Sequence, residues 1–221
     1  MINNIDTSSI KYILFDLDGT ITDPKIGITK SAQYALSKFN IHVENLDELE
    51  PLIGPPIYTS FIEKYKFSEE KTELAVSYYR EYFSKKGLFE NKPYPGIEET
   101  LSALKNSGYH LAIATSKPTI FAEKILDHFD LSQYFEFVVG ASLDKTRINK
   151  NDIIHECMRL FDDNSNESYI MIGDREHDII GAKKVGIKSI GVLYGYGSKN
   201  ELETAGANRI IENHDELLGM K

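Results

Sequence analysis

Two aspartates, Asp16 and Asp18, follow directly after the apolar run at residues 12–15. Side chains two positions apart on an extended chain point to the same side, so both carboxylates should leave the strand together. Gly19 comes next and permits a sharp turn of the backbone. Because adjacent carboxylates repel each other unless a cation joins them, the spacing indicates a metal site. One of the two acids is then placed to attack a substrate or to move protons.

A second set of residues has the chemistry of an anion site. Thr115 and Ser116 follow another apolar run and precede Pro118, which is tolerated at the start of a helix. A hydroxyl and free backbone N–H groups at a helix N-terminus bind anions. Lys150 opens a later helical pattern, where its ammonium would add a point charge for a phosphate. These residues together predict a phosphate-binding site.

A further pair of carboxylates follows the apolar run at residues 169–172. Asp174 ends that run, and Asp178 comes one helical turn later, which places both side chains on one face. Hard oxygen ligands from separate strands suit Mg²⁺. Taken singly, these features have structural explanations, since such residues commonly form turns, cap helices or lie at the surface. Their order at successive strand ends favours one shared site.

The elements that would carry these residues alternate between apolar runs and helical patterns. The runs are continuously apolar, as in strands that are covered on both faces, so they predict a doubly wound α/β fold with a Rossmann-like parallel sheet. The predicted strands are residues 12–15, 111–114, 135–139, 169–172, 189–193 and, more weakly, 209–211.

One connection is too long for a simple crossover, because over ninety residues separate the first two predicted strands. Residues 24–92 have helical patterns and are predicted to form an α-helical cap domain, inserted into a core of residues 1–23 and 93–221. A break at residues 52–56 separates helices within it. The two apolar stripes that we assign there are Ile28, Ala32, Ala35 and Phe39, and Leu74, Tyr78, Tyr82 and, less regularly, Phe83.

Composition limits the classes of function. The 221 residues are 41% hydrophobic and 27% charged, which argues for a folded chain. A formal net charge of −9 argues against a nucleic-acid polymer as partner, because backbone binding needs a basic face. No apolar run is long enough for a membrane span, and residues 1–9 do not resemble a signal peptide, so we expect a cytoplasmic location. Cys157 is the only cysteine and excludes an intrachain disulfide. The oligomeric state is not predicted.

The four motifs in this order resemble those of the haloacid dehalogenase superfamily, in its phosphatase branch with a helical cap after the first strand. The phosphoglycolate phosphatases are the most similar subgroup, and residues 173–182 also resemble 5′-nucleotidases. The third motif departs from the family pattern, because Asn151 rather than proline follows Lys150, and Lys145 is an alternative. The matching residues are Asp16-Leu17-Asp18-Gly19-Thr20, Thr115, Lys150, and Gly173-Asp174 with Asp178.

The resemblance implies a Mg²⁺-dependent phosphatase that hydrolyses a small phosphate monoester through an aspartyl-phosphate. Phosphoglycolate and nucleoside 5′-monophosphates both remain open as substrates. The resemblance implies that Asp16 is the nucleophile and that Asp18 is the general acid and base. Asp16, the Asp18 carbonyl and Asp174 would be the metal ligands, and Asp178 would fix metal-bound water or orient Lys150. The phosphate ligands would be Thr115, Ser116 and Lys150.

Substrate choice would lie in the cap, where Gly54 and Pro55 are the candidate contacts. Dehalogenases of the superfamily do not need the second aspartate, so Asp18 favours phosphoryl transfer. A phosphomutase of the sugar-phosphate type and a non-catalytic protein that binds phosphate esters are the alternatives.

Overall fold

The computed structural model describes residues 6–144 and 146–220, so the alternative phosphate ligand Lys145 lies outside the described residues. Its centre is a six-stranded, all-parallel sheet in the order β5-β4-β1-β6-β7-β8. A separate two-stranded antiparallel ribbon joins β2 and β3. The strands are β1 Tyr12–Phe15, β2 Thr22–Asp23, β3 Lys92–Pro93, β4 His110–Pro118, β5 Phe137–Ala141, β6 Tyr169–Gly173, β7 Lys188–Val192 and β8 Arg209–Ile211.

Helices cover both faces of the sheet, as continuously apolar strands require. On one face α4 and α5 bury Leu101 and Ile125, and on the other α6 and α7 bury Ile154 and Ala182. The helices are α1 Lys25–Ser37, α2 Ile57–Tyr65, α3 Glu69–Tyr82, α4 Ile97–Asn106, α5 Thr119–His128, α6 Lys150–Phe161, α7 Glu176–Val185 and α8 Lys199–Ala205. None of the helices in the described parts of the chain could cross a lipid bilayer.

The doubly wound α/β fold is confirmed, and the strand boundaries shift by small amounts. The third predicted strand begins at Phe137 rather than at Phe135, because Phe135 closes the short 3₁₀ helix Ser132–Tyr134 through a backbone hydrogen bond to Ser132. The second predicted strand is longer, and β4 continues to Pro118. This extension places Thr115, Ser116 and Lys117 at the carboxyl edge of the sheet.

The segment between β2 and β3 consists of α1, a 3₁₀ helix at Leu46–Leu52, α2, α3 and a π-helical turn at Phe83–Gly87. In the ribbon, Thr22 pairs with Pro93 and Asp23 with Lys92, so the chain leaves and rejoins the core at one place. This arrangement supports our prediction that residues 24–92 form a helical cap domain inserted into the core.

One residue of the second predicted apolar stripe, Leu74, is wrongly placed, whereas Tyr78 and Tyr82 are partly buried and Phe83 is buried. Leu74 is 46% exposed, and the buried face of α3 is formed instead by Ala75, Val76 and Tyr79. The two stripes lie next to each other on the helix, and the choice between them depends on which side α1 and α2 approach. That approach is a tertiary contact that the helical period does not encode.

Substitutions on α3 should distinguish these two faces. Val76→Ala removes buried methyl groups and should lower the free energy of unfolding by on the order of 2 kcal/mol, whereas Leu74→Ala should change it by less than about 0.5 kcal/mol. Urea unfolding followed by circular dichroism measures both. A larger loss for Leu74→Ala than for Val76→Ala would contradict this orientation of the helix.

Candidate active site

Every core residue with a predicted site role lies near the carboxyl edge of the parallel sheet. Asp16 and Asp18 follow β1, Thr115 lies in β4, Asp174 follows β6 and Asp178 lies in the first turn of α7. All five are buried. The sheet order explains this grouping, because β1 pairs with β4 on one side and with β6 on the other.

Lys150 joins these elements at their centre. Its side chain is buried, and Nζ lies 3.1 Å from Asp16 Oδ1 and 2.6 Å from Asp178 Oδ1. It also donates a hydrogen bond of 2.9 Å to the Ala114 carbonyl. Burial would lower the pKa of the Lys150 ammonium, but Asp16 and Asp178 outweigh burial and raise that pKa above its usual value. The lysine that begins α6 is therefore a fixed cation rather than a solvated surface group.

A tight turn directs the backbone between the first two aspartates and β2. Leu17 accepts backbone hydrogen bonds from Thr20, Ile21 and Thr22, and Gly19 adopts a positive φ of 84°. A Cβ atom at Gly19 would lie 2.2 Å from Asp174 Oδ2. Glycine is therefore required for the turn, as its place after Asp18 predicted, and also for the close approach of Asp174, which the sequence did not predict.

Three carboxylates in the site have the geometry of a cation-binding cluster. One ligand atom from each of Asp16, Asp174 and Asp178 lies within 4.8 Å of the others. Asp174 Oδ1 is buried and has no hydrogen-bond partner among the residues that the structure describes. The carboxylate of Asp18 lies outside this group, which agrees with a contribution from its backbone carbonyl only. Oxygen donors of this kind fit Mg²⁺.

The pKa values of these acids reflect their crowding. Burial raises the pKa of Asp174 well above its ordinary value, and the charges of Asp178 and Asp16 add to the effect. Burial likewise raises the pKa of Asp178, to about 6, although Lys150 opposes the change. A cluster that resists ionisation in this way is stabilised by a bound divalent cation.

The predicted anion-binding residues Thr115 and Ser116 lie on β4. The register between β4 and β5 shifts between Ala114 and Pro118, so the residues between them leave regular pairing. The Thr115 hydroxyl oxygen accepts a 3.2 Å hydrogen bond from the backbone N–H of Lys117, and Ser116 borders the neighbouring cavities. The structure thus brings Thr115, Ser116 and Lys150 to one edge of the sheet.

Sequence reasoning gave no role to Lys117, which lies in the same segment. Its ammonium is 2.8 Å from Asp18 Oδ2 and 4.6 Å from the centre of the Phe83 ring. Burial raises the pKa of Asp18, and the Lys117 charge partly offsets that rise. The signal for a buried cation was present in the Thr-Ser-Lys-Pro stretch, although the sequence alone does not separate it from an exposed lysine.

Sequence reasoning also missed the loop that follows β7. Tyr196 donates its backbone N–H to Asp174 Oδ2 at 2.8 Å, and its hydroxyl donates to the Asp23 carboxylate in the ribbon. A Cβ atom at Gly197 would lie 1.8 Å from the Asp174 carbonyl oxygen. The alternation of tyrosine and glycine in residues 194–197 was the available signal for such a close backbone approach.

The predicted substrate loop of the helical segment lies against the core. Arg175 donates to the Ile53 carbonyl and pairs with Glu201 at 2.8 Å. A Cβ atom at Gly54 would lie 2.7 Å from the Arg175 side chain. Gly54 and Pro55 line a cavity of about 70 Å³ that also borders Asp18, and Pro55 lines a wider cleft of about 440 Å³.

Asp174→Asn should test the charge cluster through stability. Because the pKa values of Asp174 and Asp178 are raised in the folded protein, the folded protein holds protons that the unfolded chain releases. The contribution of these acids to stability therefore falls as the pH rises from about 4, their unfolded pKa, through the raised pKa values. At pH 8 in the presence of chelator, Asp174→Asn removes one negative charge and should raise the melting temperature by several degrees. For a protein of this size, about 1 kcal/mol of stability corresponds to roughly 2–4 °C.

The gain should shrink toward pH 4, and Mg²⁺ should stabilise the wild type more than the variant. Thermal unfolding with and without Mg²⁺ measures both effects. Asp162→Asn is the matched control, because Asp162 is exposed and has the left-handed backbone that asparagine adopts readily. Equal stabilisation of wild type and Asp174→Asn by Mg²⁺ would exclude Asp174 as a ligand.

Comparison with known proteins identifies the family. A family model described as haloacid dehalogenase-like hydrolase matches residues 13–192. A 5′-nucleotidase of Pseudomonas aeruginosa is 42% identical over 94% of this chain and 99% of its own length. A phosphoglycolate phosphatase of Aquifex aeolicus is 30% identical over 86% of this chain and 88% of its own.

Among solved structures, a crystal structure described as a predicted phosphatase from Clostridium acetobutylicum has a TM-score of 0.92 and 53% identity, covering 95% of this chain and 97% of that one. These matches, the sheet order and the buried acids at the carboxyl edge all indicate the same family. The chain belongs to the haloacid dehalogenase-like hydrolases and is a phosphatase of that family.

Proposed function

We propose that this protein is a Mg²⁺-dependent phosphatase that hydrolyses a small-molecule phosphate monoester through an aspartyl-phosphate on Asp16. The observation that carries the proposal is the convergence of Asp16, Asp174 and Asp178 around the Lys150 ammonium, with Asp18 directly beside them. A nucleophile, a cation site, a phosphate-binding ammonium and a second acid are the groups that this reaction requires.

Asp16 is the nucleophile in this proposal. Its carboxylate is held by Lys150 at the point where β1 ends, so the attacking oxygen has a fixed direction. The same ammonium would bind a phosphoryl oxygen, together with the Thr115 hydroxyl and the Ser116 N–H. These groups stabilise the charge that develops on the equatorial oxygens in the transition state.

The acid triad fits a divalent cation, and Asp16, the Asp18 carbonyl and Asp174 would hold it, with Asp178 beside them. When bound, Mg²⁺ would neutralise charge between the carboxylate nucleophile and the phosphate. Asp178 has a second task that does not involve the ion, because its 2.6 Å contact orients the Lys150 ammonium.

Asp18 is the general acid and base. Its Oδ2 is paired with Lys117, whereas its Oδ1 is buried and, within the described parts of the chain, has no hydrogen-bond partner. That free oxygen would donate a proton to the departing alkoxide and later accept a proton from the water that hydrolyses the aspartyl-phosphate.

The helical segment would close over this site and exclude water while the aspartyl-phosphate exists. Gly54 and Pro55 are the proposed substrate contacts. The named activities of the relatives, on 5′-nucleotides and on phosphoglycolate, indicate a small phosphate ester as substrate. A cytoplasmic location agrees with a chain whose single cysteine is free and buried.

Asp16→Asn should abolish phosphate release, by at least about 10⁴-fold, because no other carboxylate takes its position. The measurement is phosphate release from phosphoglycolate, nucleoside 5′-monophosphates, sugar phosphates and phosphotyrosine, each with Mg²⁺ and with chelator. Asp162→Asn should retain wild-type rates. Substantial turnover by Asp16→Asn would contradict the assignment of Asp16 as nucleophile.

The same assay separates the alternative functions. Interconversion of sugar phosphates with little phosphate release would identify a mutase, and binding without turnover would identify a non-catalytic protein.

Asp18→Asn should show a rate loss that depends on the leaving group. An alkyl phosphate needs a proton on its departing oxygen, so its turnover should fall by about 10²–10⁴-fold. p-Nitrophenyl phosphate has a leaving group that departs without protonation, so the rate of its first step should fall much less. Single-turnover kinetics with both esters isolates that step. An equal loss for the two esters would argue against proton donation by Asp18.

A further inference from the structure

We infer that Arg175 limits the size of the leaving group, because it holds the loop at residues 52–56 as a partition between the general acid and the wider cleft. The inference rests on the proposed phosphatase function and adds to it the residue that decides which esters fit. Arg175 acts through the loop, so it is a positioning residue. A short leaving group fits with the partition in place, whereas a bulky one requires the contact between Arg175 and the loop to break.

The Arg175 side chain is fixed to the core by a carboxylate. Its Nε donates a 2.8 Å hydrogen bond to Glu201 Oε1, and the side chain is only 15% exposed. The same Glu201 oxygen accepts the backbone N–H of Glu176 at 2.9 Å, and the Ser198 hydroxyl caps the helix that carries Glu201. Burial would raise the pKa of Glu201, but the hydrogen bonds from Arg175 and from the Glu176 N–H outweigh burial and lower that pKa. The guanidinium therefore has a charged and fixed partner on α8.

The loop at residues 52–56 is joined to this fixed guanidinium. Arg175 Nη1 donates a hydrogen bond to the Ile53 carbonyl, and this contact lies away from the ribbon that connects the helical segment to the core. A Cβ atom at Gly54 would lie 2.7 Å from Arg175 Cγ, so the backbone of the loop lies directly against the arginine. Hydrogen bonds from a charged donor are stronger than those between neutral groups. The contact therefore resists displacement of the loop.

The loop separates two cavities that differ in size and in their access to the general acid. Leu52, Pro55 and Pro56 line both of them. The smaller cavity, of about 70 Å³, is bordered by Asp18. The wider cleft, of about 440 Å³, is bordered by Arg175 and not by Asp18. Because Asp18 is proposed to protonate the leaving oxygen, the leaving group would begin in the smaller cavity.

The volume of the smaller cavity sets the size limit. About 70 Å³ corresponds to roughly two water molecules at about 30 Å³ each, which leaves room for a short alkyl group only. Pockets for larger ligands usually occupy about 300 Å³ or more. A bulky leaving group reaches such a volume when the loop moves and the two cavities join. This movement breaks the Arg175–Ile53 hydrogen bond, so the contact weakens the binding of bulky esters and not that of short ones.

Contacts elsewhere hold the helical segment on the core but do not hold this loop. The Phe83 ring lies 4.6 Å from the Lys117 ammonium and packs edge-on against Phe121. Phe89 packs edge-on against His128, with ring centres 4.8 Å apart. Both phenylalanines follow α3, at the end of the segment that is remote in sequence from the loop. Loss of the Arg175 contact should therefore free the loop without detaching the segment.

Hydrogen exchange tests the loop contact without a substrate. Amides in a peptide covering residues 52–62 should exchange at least about tenfold faster in Arg175→Met than in the wild type, and Glu201→Gln should have a smaller effect in the same direction. Arg159→Met is the matched control, because Arg159 pairs with Glu156 at 2.8 Å on the exposed side of α6. Thermal unfolding shows whether each variant folds, and Arg175→Gln replaces Arg175→Met if the latter does not. Unchanged exchange in a folded Arg175 variant would overturn the inference.

The size limit is tested with two esters of primary alcohols, ethyl phosphate and cyclohexylmethyl phosphate. The quantity is kcat/KM for the cyclohexylmethyl ester divided by kcat/KM for the ethyl ester, because losses common to both esters cancel in this ratio. Arg175→Met should raise the ratio by about tenfold, the factor expected for loss of one charge-assisted hydrogen bond. Glu201→Gln should raise it less, and Arg159→Met should leave it unchanged. A ratio that is unchanged or lower in folded Arg175→Met would overturn the inference.

Failure of the proposed function gives a different result. If no phosphate ester releases phosphate, the phosphatase proposal fails, while exchange at residues 52–62 still reports the Arg175 contact. The size limit is then measured by binding, with Asp16→Asn titrated calorimetrically with ethyl phosphate and cyclohexylmethyl phosphate. A shift of relative affinity toward the cyclohexylmethyl ester in the Asp16→Asn, Arg175→Met double variant would support the inference. The same relative affinity in both proteins would overturn it.

Discussion

Charge balance at the carboxyl edge of the sheet is the constraint on which the site depends. Among the described residues, four buried carboxylates lie there, and two buried lysines pair with three of them: Lys150 with Asp16 and Asp178, and Lys117 with Asp18. The lysines divide the acids into two groups with different chemistry. The group around Lys150 has three carboxylates for one ammonium and attracts a cation, whereas Lys117 and Asp18 form a balanced pair.

The parallel sheet makes this charge balance possible. With β1 at its centre and β4 and β6 on either side, residues far apart in sequence reach one edge without long irregular loops. Backbone at that edge must approach closely, which explains why Gly19 and Gly197 border Asp174 where a side chain would collide. The tyrosines of residues 194–197 then tie this edge to the ribbon, through Tyr196 and the Asp23 carboxylate.

Much of this architecture could be predicted because its signals are local. Continuous apolar runs gave the order of strands and helices, and Asp-x-Asp-Gly gave the turn after β1. Leu74 was wrongly assigned to the buried face of α3 because two neighbouring stripes compete on one helix, and only contact with α1 and α2 decides between them. The roles of Lys117 and of the loop at 194–197 were missed for a related reason. A lysine or a tyrosine becomes part of a site through burial against a distant segment, and its own neighbours in sequence do not record that contact.

The ribbon of β2 and β3 has a consequence for how such a protein changes over evolution. Its two strands are hydrogen-bonded neighbours, so the ends of the helical segment lie about 5 Å apart. At the ribbon, the chain of the core therefore has only a narrow gap to bridge, whatever the length of that segment. Any insert with adjacent termini could replace it without disturbing the register of the sheet. The carboxyl edge of the sheet and the helical segment can thus be inherited and altered separately.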